Sequence, residues 1–236
     1  MKSHEDNNAG IIFDGDDTLW ETSVFYNEAK ASFFNEMSSL GFDIEEVKPT
    51  FEKTDIANIK KLGFTKLRFP TSMADTYVYF CKKYGIDNKS EISRKFEALG
   101  KSVFERKPII LDQAEFVLKK AKSQYKLILA TKGDLEIQQL KITHSGLAKH
   151  FNKIYILDDK TKKEFSQILR ENNLENAKTW SVGNSLKSDI KPALQLGMKA
   201  IWIPHNETWN YEHETIPTSY SFFQVNSLGQ ILEILK

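Results

Sequence analysis

The sequence predicts an α/β protein in which a doubly wound parallel sheet carries an inserted α-helical domain. Three observations predict this fold class. A short apolar run, Gly10–Asp14, comes near the start of the chain and ends at a carboxylate. Residues 21–106 have a helical pattern without a strand. From Pro108 onwards, short apolar runs alternate with amphipathic segments of about 10 to 15 residues.

The first half of the chain predicts one strand and four helices. The run GIIFD at Gly10–Asp14 has the composition of a buried parallel strand. We predict the four helices at Ser23–Leu40, Pro49–Leu62, Ser72–Tyr84 and Glu91–Glu105. Pro49 suits the first turn of its helix, where a missing backbone N–H costs no hydrogen bond. The predicted domains are a core of residues 1–20 and 107–236 and a helical insertion of residues 21–106.

The second half of the chain predicts alternating helices and strands. The predicted strands are Leu127–Thr131, Ile154–Leu157, Trp180–Gly183 and Ala200–Ile203. The predicted helices are Gln113–Lys122, Leu135–Ser145, Lys162–Asn172 and Leu186–Leu196, and a last strand and helix lie between Ser221 and Leu235. Ligands of such sheets bind beyond the carboxyl ends of the strands, so chemistry is expected just after each strand.

Polar side chains occupy these positions. The residues that follow the strands are Asp14, Asp16, Thr131, Lys160, Asn184 and Asp189. Core packing does not call for such a set, because charged groups are costly there unless they are paired or bind a metal. Two carboxylates, a hydroxyl, an ammonium and two further oxygen ligands are therefore expected to converge from four strands.

This set of groups suits the chemistry of a phosphate ester. Mg²⁺ held by Asp14, by the backbone carbonyl of Asp16, and by Asn184 or Asp189 would remove the repulsion between carboxylates and phosphate. Asp14 could then attack phosphorus as a nucleophile. Asp16 could act first as general acid and then as general base.

Thr131 and Lys160 complete the predicted catalytic set. A threonine hydroxyl and a compact ammonium can both bind the oxygens of a phosphoryl group during its transfer.

Four segments resemble the motifs of the haloacid dehalogenase superfamily, in the same order and over about residues 10 to 205. The segments are Ile12–Leu19 (IFDGDDTL), Leu129–Asp134 (LATKGD), Asp159–Thr161 (DKT) and Val182–Asp189 (VGNSLKSD). The resemblance implies a magnesium-dependent hydrolase that forms an aspartyl-phosphate on Asp14. It also implies that the helical insertion is a cap, a lid over the site. The aspartate at position 16 is typical of the branches that act on phosphate esters, since the dehalogenase and phosphonatase branches lack it.

Two motifs leave a choice open. Asn184 stands where the fourth motif usually has its first acidic residue, and an amide oxygen can bind Mg²⁺ without contributing charge. Either Asn184 or Asp189 could therefore contact the ion directly. In the third motif Lys162 and Lys163 lie close to Lys160. We favour Lys160, because it is nearest to the strand end and five residues before Phe165, as in the family pattern.

The predicted substrate-binding residues come from the motifs and from the insertion. They are Thr131, Lys132, Lys160, Trp20, Lys66 and Arg68. Trp20 suits either the substrate entrance or packing in the turn after the first motif. Lys66 and Arg68 suit either a specificity loop or a solvated helix end. Because a closing lid confines substrates to small molecules, we expect a sugar phosphate, a nucleoside monophosphate or a similar metabolite.

Three other functions use similar residues. A phosphomutase or phosphotransferase would use the same set and shield the intermediate from water. A non-catalytic phosphate-binding module would fit the neutral Asn184. A receiver domain of a signalling protein also gathers carboxylates, Thr and Lys around magnesium, but its phosphorylated aspartate follows a middle strand and no long insertion follows the first. The phosphatase interpretation is preferred.

Composition limits the partners and the compartment. The chain of 236 residues has 33 basic and 32 acidic residues and a net charge of +1, which gives no electrostatic reason to expect nucleic acid or an anionic membrane. The chain has one cysteine, and its polar N-terminus lacks the apolar segment of a signal peptide. We expect a cytoplasmic monomer or homodimer.

Overall fold

The computed structural model describes residues 8–205 and 209–235. The chain divides into two compact units. One unit comprises Met1–Glu21 and Pro108–Lys236, and the other comprises Thr22–Lys107. The insertion predicted from the sequence spans 21–106. In the described ranges, no helix combines the length and the apolar character that crossing a membrane demands.

The unit of residues 22–107 is helical in its described structure. Its helices are α1 (Ser23–Ser39), α2 (Ile44–Leu62), α3 (Arg68–Tyr84) and α4 (Ser90–Lys101), and a 3₁₀ turn follows at Ser102–Glu105. They enclose a core rich in aromatic rings, in which Phe33 and Phe96 meet edge to face with centroids 4.8 Å apart. Aromatic pairs in this geometry add to the stability that apolar burial supplies.

The prediction that Pro49 lies in the first turn of its helix, here α2, is wrong. The helix begins five residues earlier, at Ile44, and Pro49 lies inside it. Asp43 caps the new start by accepting a hydrogen bond of 3.0 Å from the backbone N–H of Glu45. Pro49 is exposed, so water can reach the backbone carbonyl that the proline leaves without its helical donor.

In the described part of the other unit, six strands form one parallel sheet. These strands are β1 (Gly10–Phe13), β4 (Lys126–Lys132), β5 (Lys153–Leu157), β6 (Thr179–Gly183), β7 (Lys199–Trp202) and β8 (Phe223–Gln224). Their order in the sheet is β5-β4-β1-β6-β7-β8. A separate antiparallel pair joins β2 (Trp20–Glu21) to β3 (Ile109–Ile110). The predicted fold class is confirmed.

Helices cover both faces of this sheet. They are α5 (Ala114–Ala121), α6 (Leu135–Ser145), α7 (Lys162–Glu171), α8 (Lys191–Leu194) and α9 (Ile231–Ile234). Alternate residues of β1 point to opposite faces. Ile11 and Phe13 accordingly pack in the cluster that contains residues of α5 and α9, whereas Ile12 packs with residues of α7. The central strand is thus buried on both sides, as its apolar composition predicted.

The helix predicted at Leu186–Leu196 is wrong in detail. Leu186–Ile190 forms a π-helical turn, and the short α8 follows it. Ser185 begins the turn, and its hydroxyl accepts a hydrogen bond of 2.9 Å from the backbone N–H of Ser188. The wider turn is the kind of irregularity that often occurs at functional sites.

Candidate active site

Asp14 lies at the centre of the sheet edge where the strands end. It follows β1, whose last residue, Phe13, pairs with Leu129 of β4 and Val182 of β6. The backbone N–H of Asp14 donates to the carbonyl of Val182 at 2.9 Å. The parallel register therefore brings the residues after β4 and β6 close to Asp14.

Lys160 joins Asp14 to Asp189. Its Nζ donates to Asp14 Oδ1 at 2.5 Å and also to Asp189 Oδ1. All three side chains are buried, with relative exposures of 7% for Asp14, 5% for Lys160 and 2% for Asp189. A burial this complete excludes the solvated helix face as the setting of Asp189. The ammonium stabilises the two carboxylates, which would otherwise be buried without compensation.

Local structure holds Lys160 at this point. The Asp159 carboxylate accepts the Lys160 backbone N–H at 2.8 Å. Thr161 then caps α7 in a capping box with Glu164. Lys162 and Lys163, in the first turn of α7, are exposed. Of the three lysines in this motif, Lys160 is therefore the one that reaches Asp14.

Gly183 leaves the space that Asp189 occupies. A Cβ atom at position 183 would lie 2.2 Å from the Asp189 carboxyl carbon, a distance that real contacts do not allow. The backbone N–H of Ser185 donates to Asp189 Oδ2 at 3.0 Å. The glycine of the fourth motif thus permits a carboxylate from the π-helical turn to approach the sheet edge.

Burial governs the protonation of Asp14. Its removal from water raises the pKa of Asp14 to about 7, because burial disfavours the ionised form. Lys160 lowers this pKa, while the negative charge of Asp189 raises it further. Thr18 donates its hydroxyl to Asp14 Oδ2 at 3.1 Å. Two buried carboxylates share one ammonium here, so the cluster retains a negative charge when both are ionised.

Asp16 is held by three donors. Its Oδ1 accepts the indole N–H of Trp20 at 2.7 Å. Its Oδ2 accepts Nε2 of Gln138 at 2.9 Å and Nζ of Lys141 at 2.7 Å. Burial raises the pKa of Asp16, but Lys141, with the hydrogen bonds of Gln138 and Trp20, outweighs it and lowers the pKa below its ordinary value.

Gln138 and Lys141 are residues that the sequence analysis missed. They lie three positions apart on α6, which places them on one face of the helix that follows the second motif. Two polar residues at this spacing, on the helix that follows Thr131, are a sequence signal that could have identified them as candidate site residues. The identity of their acceptor, more than 120 residues away in the chain, had no local signal.

Trp20 is fully buried in the apolar cluster of its unit. Its ring also explains the glycine of the first motif, since a Cβ atom at Gly15 would lie 2.5 Å from the ring. Asp17, in the same turn, has φ of 57°, a left-handed conformation that aspartate tolerates better than most residues. Packing within the turn accounts for these contacts of Trp20, and a contact with substrate stays a prediction.

Thr131 is buried, and its hydroxyl has no hydrogen-bond partner in the described ranges. An unsatisfied buried hydroxyl costs free energy, so its retention needs a reason. Asn184, after β6, is half-buried, and its backbone carbonyl accepts the indole N–H of Trp202 at 2.8 Å. Thr131 is the last residue but one of β4, and Asn184 directly follows β6; both strands neighbour β1, which ends before Asp14.

Lys132 contacts a carboxylate that was not predicted. Its Nζ donates to Glu212 Oε1 at 2.6 Å and to the Ser188 hydroxyl at 3.0 Å. Glu212 Oε2 also accepts the hydroxyls of Ser185 and Ser188, each at 2.5 Å. Glu212 therefore links the residue after Thr131 to the turn that carries Asp189. The ion pair does not test the predicted role of Lys132 in substrate binding.

Lys66 and Arg68 belong to the helical unit. Arg68 forms an ion pair with Asp55, and their side-chain exposures are 12% and 6%. Lys66 is half-buried. The pairing gives Arg68 a structural task in its own unit, and the substrate-binding role of both residues stays a prediction.

The oxygen donors at the sheet edge fit a hard cation. No group of three His, Cys, Asp or Glu side chains suited to a metal occurs in residues 8–205 and 209–235. The predicted set differs from such a group, since it combines carboxylates with the Asp16 carbonyl and the Asn184 amide. Carbonyl, amide and carboxylate oxygens are ligands that Mg²⁺ accepts, and the excess negative charge around Lys160 favours a cation.

A family model described as haloacid dehalogenase-like (HAD-like) hydrolase matches residues 11–203. The chain belongs to this family. The predicted membership is confirmed, as is the prediction of an enzyme of the HAD-like hydrolase class.

Individual HAD-like proteins resemble the chain over nearly its whole length. A protein of Pyrococcus furiosus named glyceraldehyde 3-phosphate phosphatase is 24% identical over 232 residues, which are 96% of this chain and 92% of that protein. A HAD-like hydrolase of Xanthomonas campestris has a TM-score of 0.78 at 22% identity and 96% coverage of both chains. The HAD hydrolase YfnB of Bacillus subtilis, in a structure bound to magnesium, has a TM-score of 0.66 at 17% identity, with 97% and 98% coverage.

Proposed function

We propose that the protein is a magnesium-dependent phosphatase that hydrolyses a small phosphate monoester through an aspartyl-phosphate on Asp14. The observation that carries this proposal is the buried cluster of Asp14, Lys160 and Asp189 at the end of the central strand of a HAD-like core. Its position beyond the carboxyl ends of parallel strands is where such sheets bind ligands.

The first half of the reaction transfers the phosphoryl group to Asp14. A carboxylate oxygen of Asp14 attacks phosphorus, and the bond between phosphorus and the ester oxygen breaks. Protonated Asp16 gives its proton to the leaving oxygen, which departs as an alcohol. The negative charge of a bound phosphate favours the protonated form of Asp16 and so opposes the effect of its three donors.

The second half releases phosphate and restores the enzyme. Asp16, now ionised, takes a proton from water, and the water oxygen attacks phosphorus. The bond from phosphorus to Asp14 breaks, so Asp14 is again a carboxylate and Asp16 is again protonated. Lys160 and the hydroxyl of Thr131 would stabilise the charge on the oxygens of the transferring group in both halves.

Mg²⁺ is the proposed cofactor. Asp14, the backbone carbonyl of Asp16, and Asn184 or Asp189 would hold it, and it would supply positive charge that offsets the repulsion between carboxylates and phosphate. The magnesium-bound state of the Bacillus subtilis hydrolase supports this choice.

The proposed substrates are small phosphorylated metabolites such as sugar phosphates or nucleoside monophosphates. The resemblance to a protein named glyceraldehyde 3-phosphate phosphatase supports this class. The cytoplasm and a monomeric or homodimeric state are proposed on composition alone.

The test measures release of p-nitrophenol from p-nitrophenyl phosphate, with magnesium and with EDTA, for the wild type and Asp14→Asn. We expect magnesium-dependent turnover that the substitution abolishes. Equal activity of the two proteins would refute the proposal. A panel of phosphate esters then identifies the substrate class, and turnover of phosphopeptides alone would contradict the metabolite assignment.

A further inference from the structure

Three side chains outside the four sequence motifs donate hydrogen bonds to the carboxylate of Asp16. The donors are Trp20, the first residue of β2, and Gln138 and Lys141 of α6, here together called the Asp16 clamp. Trp20 is fully buried, Gln138 is 3% exposed, and the Lys141 side chain is 11% exposed. Polar groups buried this deeply are costly unless their partners are fixed.

Gln138 ties the clamp to a second motif. Its Nε2 donates to Asp16 Oδ2 and also to the backbone carbonyl of Lys132, each at 2.9 Å. One amide group thus connects the carboxylate of the first motif with the residue next to Thr131. The N-terminus of α6 is itself fixed by Asp134, which accepts the N–H groups of Glu136 and Ile137.

The clamp fixes both oxygens of Asp16. The Trp20 indole holds Oδ1, while Gln138 and Lys141 hold Oδ2, so rotation of the carboxylate would break at least one of these bonds. A general acid and base must stand within hydrogen-bond reach of the leaving oxygen and then of water. Groups with locked rotamers supply this geometry without a further loss of entropy during the reaction.

We propose that Lys141 and Gln138 are positioning residues that hold Asp16 in the orientation for proton transfer to the leaving group. This inference rests on the proposed function, because it assigns Asp16 the role of general acid and base. It adds the side chains that hold the Asp16 carboxylate, and both act through Asp16.

Leaving groups of different basicity test the clamp. An alkyl phosphate such as glycerol 3-phosphate needs a proton on its leaving oxygen, whereas p-nitrophenolate leaves without one. General acid catalysis contributes about 10² to 10⁴ in rate. We expect Lys141→Met to lower kcat/KM, which includes transfer of the phosphoryl group to Asp14 but not the later attack of water, about 100-fold for the alkyl phosphate and less than about 5-fold for p-nitrophenyl phosphate. Gln138→Leu should have the same preference to a smaller extent.

Three further variants control this experiment. Lys141→Arg keeps a cationic donor and should restore most of the alkyl phosphate rate. In an Asp16→Asn background, Lys141→Met should add less than about 2-fold, because residues that act as a unit are not additive. Lys119→Met removes an exposed lysine that also pairs with a carboxylate and should change neither rate. Equal losses on both substrates, or full additivity with Asp16→Asn, would overturn the inference.

A spectroscopic measurement tests the clamp independently of turnover. The indole N–H of Trp20 donates to Asp16, so its ¹H–¹⁵N resonance, assigned with Trp20→Phe, reports the position of the carboxylate. Lys141→Met should shift this resonance as Asp16→Asn does, and Lys119→Met should not. An unmoved resonance in Lys141→Met would refute the clamp even if the enzyme is active. A shifted resonance in a protein inactive on every ester would instead refute the proposed function and, with it, the catalytic purpose of the clamp.

Discussion

Lys160 Nζ lies 2.5 Å from Asp14 Oδ1, although the two residues are 146 positions apart in the chain. The same ammonium binds Asp189, so one buried lysine connects the ends of three segments of the chain. In the proposed reaction the lysine would stabilise the nucleophile's carboxylate before attack and the phosphoryl oxygens afterwards. This dual use makes Lys160 the most informative position for mutation.

Lys160→Met should lower kcat by about 10² to 10³, the usual effect of losing one preorganised donor to a developing charge. The free energy of unfolding should also fall by about 3 to 5 kcal/mol, because two carboxylates would stay buried without their cation. Phosphate-release kinetics at low temperature and thermal denaturation measure the two effects. Lys162→Met and Lys163→Met, at exposed positions of the same motif, are the matched controls and should behave as wild type. Wild-type kcat in Lys160→Met would contradict the site.

Thr131→Val should separate activity from stability. The substitution removes the hydroxyl and keeps the shape of the side chain, and the hydroxyl has no partner in the described part of the structure. Folding stability should therefore stay equal or rise, since an unsatisfied buried hydroxyl is unfavourable. The value of kcat/KM should fall by about 10- to 100-fold if the hydroxyl binds a phosphoryl oxygen, and Thr131→Ser should retain most of it. A destabilised Thr131→Val with unchanged kcat/KM would show a structural hydroxyl instead.

Glu212 should make stability depend on pH in the acid range. Burial raises the pKa of Glu212, but Lys132 and the hydroxyls of Ser185 and Ser188 outweigh it and lower the pKa to about 2, from an ordinary value of 4.5. A lowered pKa in the folded state means that the ionised form stabilises the fold. This contribution is complete above pH 4.5 and is lost as the pH falls from there to about 2.

Glu212→Gln tests that dependence. At neutral pH the substitution should lower the free energy of unfolding by about 2 kcal/mol, because Lys132 loses a charged partner. Between pH 4.5 and 2 the variant should lose less stability than the wild type, as followed by denaturation in urea. Glu214→Gln, which removes the carboxylate paired with the more exposed Lys191, is the control and should have a smaller effect at neutral pH. Equal effects of the two substitutions would count against Glu212 as a link between the motifs.

The two cations of the helical unit that are predicted to bind substrate, Lys66 and Arg68, should differ in their effect on folding. Arg68→Ala should lower the free energy of unfolding by about 3 to 5 kcal/mol, since Asp55 would lose the cation it pairs with in a buried position. Lys66→Ala should leave thermal stability nearly unchanged. If Lys66 binds substrate, its loss should raise KM at constant stability. Unchanged kcat/KM in Lys66→Ala on the best substrate would discard the specificity loop.

The order of the main helices and of the strands of the parallel sheet, and the convergence of Asp14, Lys160 and Asp189, were predicted from the sequence alone. Strand and helix periodicity depend on neighbouring residues, so the ends of β1 and β4 could be predicted to within one residue of Phe13 and Lys132 without coordinates. Because parallel strands end at one edge, these placements also predicted that Asp14, Lys160 and Asp189 meet, as the structure shows.

Only the tertiary structure decided which side chains surround this cluster. The two donors to Asp16 on α6 and the acceptor of Lys132 lie 122, 125 and 80 positions away from their partners, and no local pattern connects them. Packing also favours a start of α2 before Pro49, since Val47 of this earlier segment is buried in the core of its unit. Periodicity and turn chemistry are local, whereas the partner of a buried polar group depends on how distant segments pack, and that is a property of the whole fold.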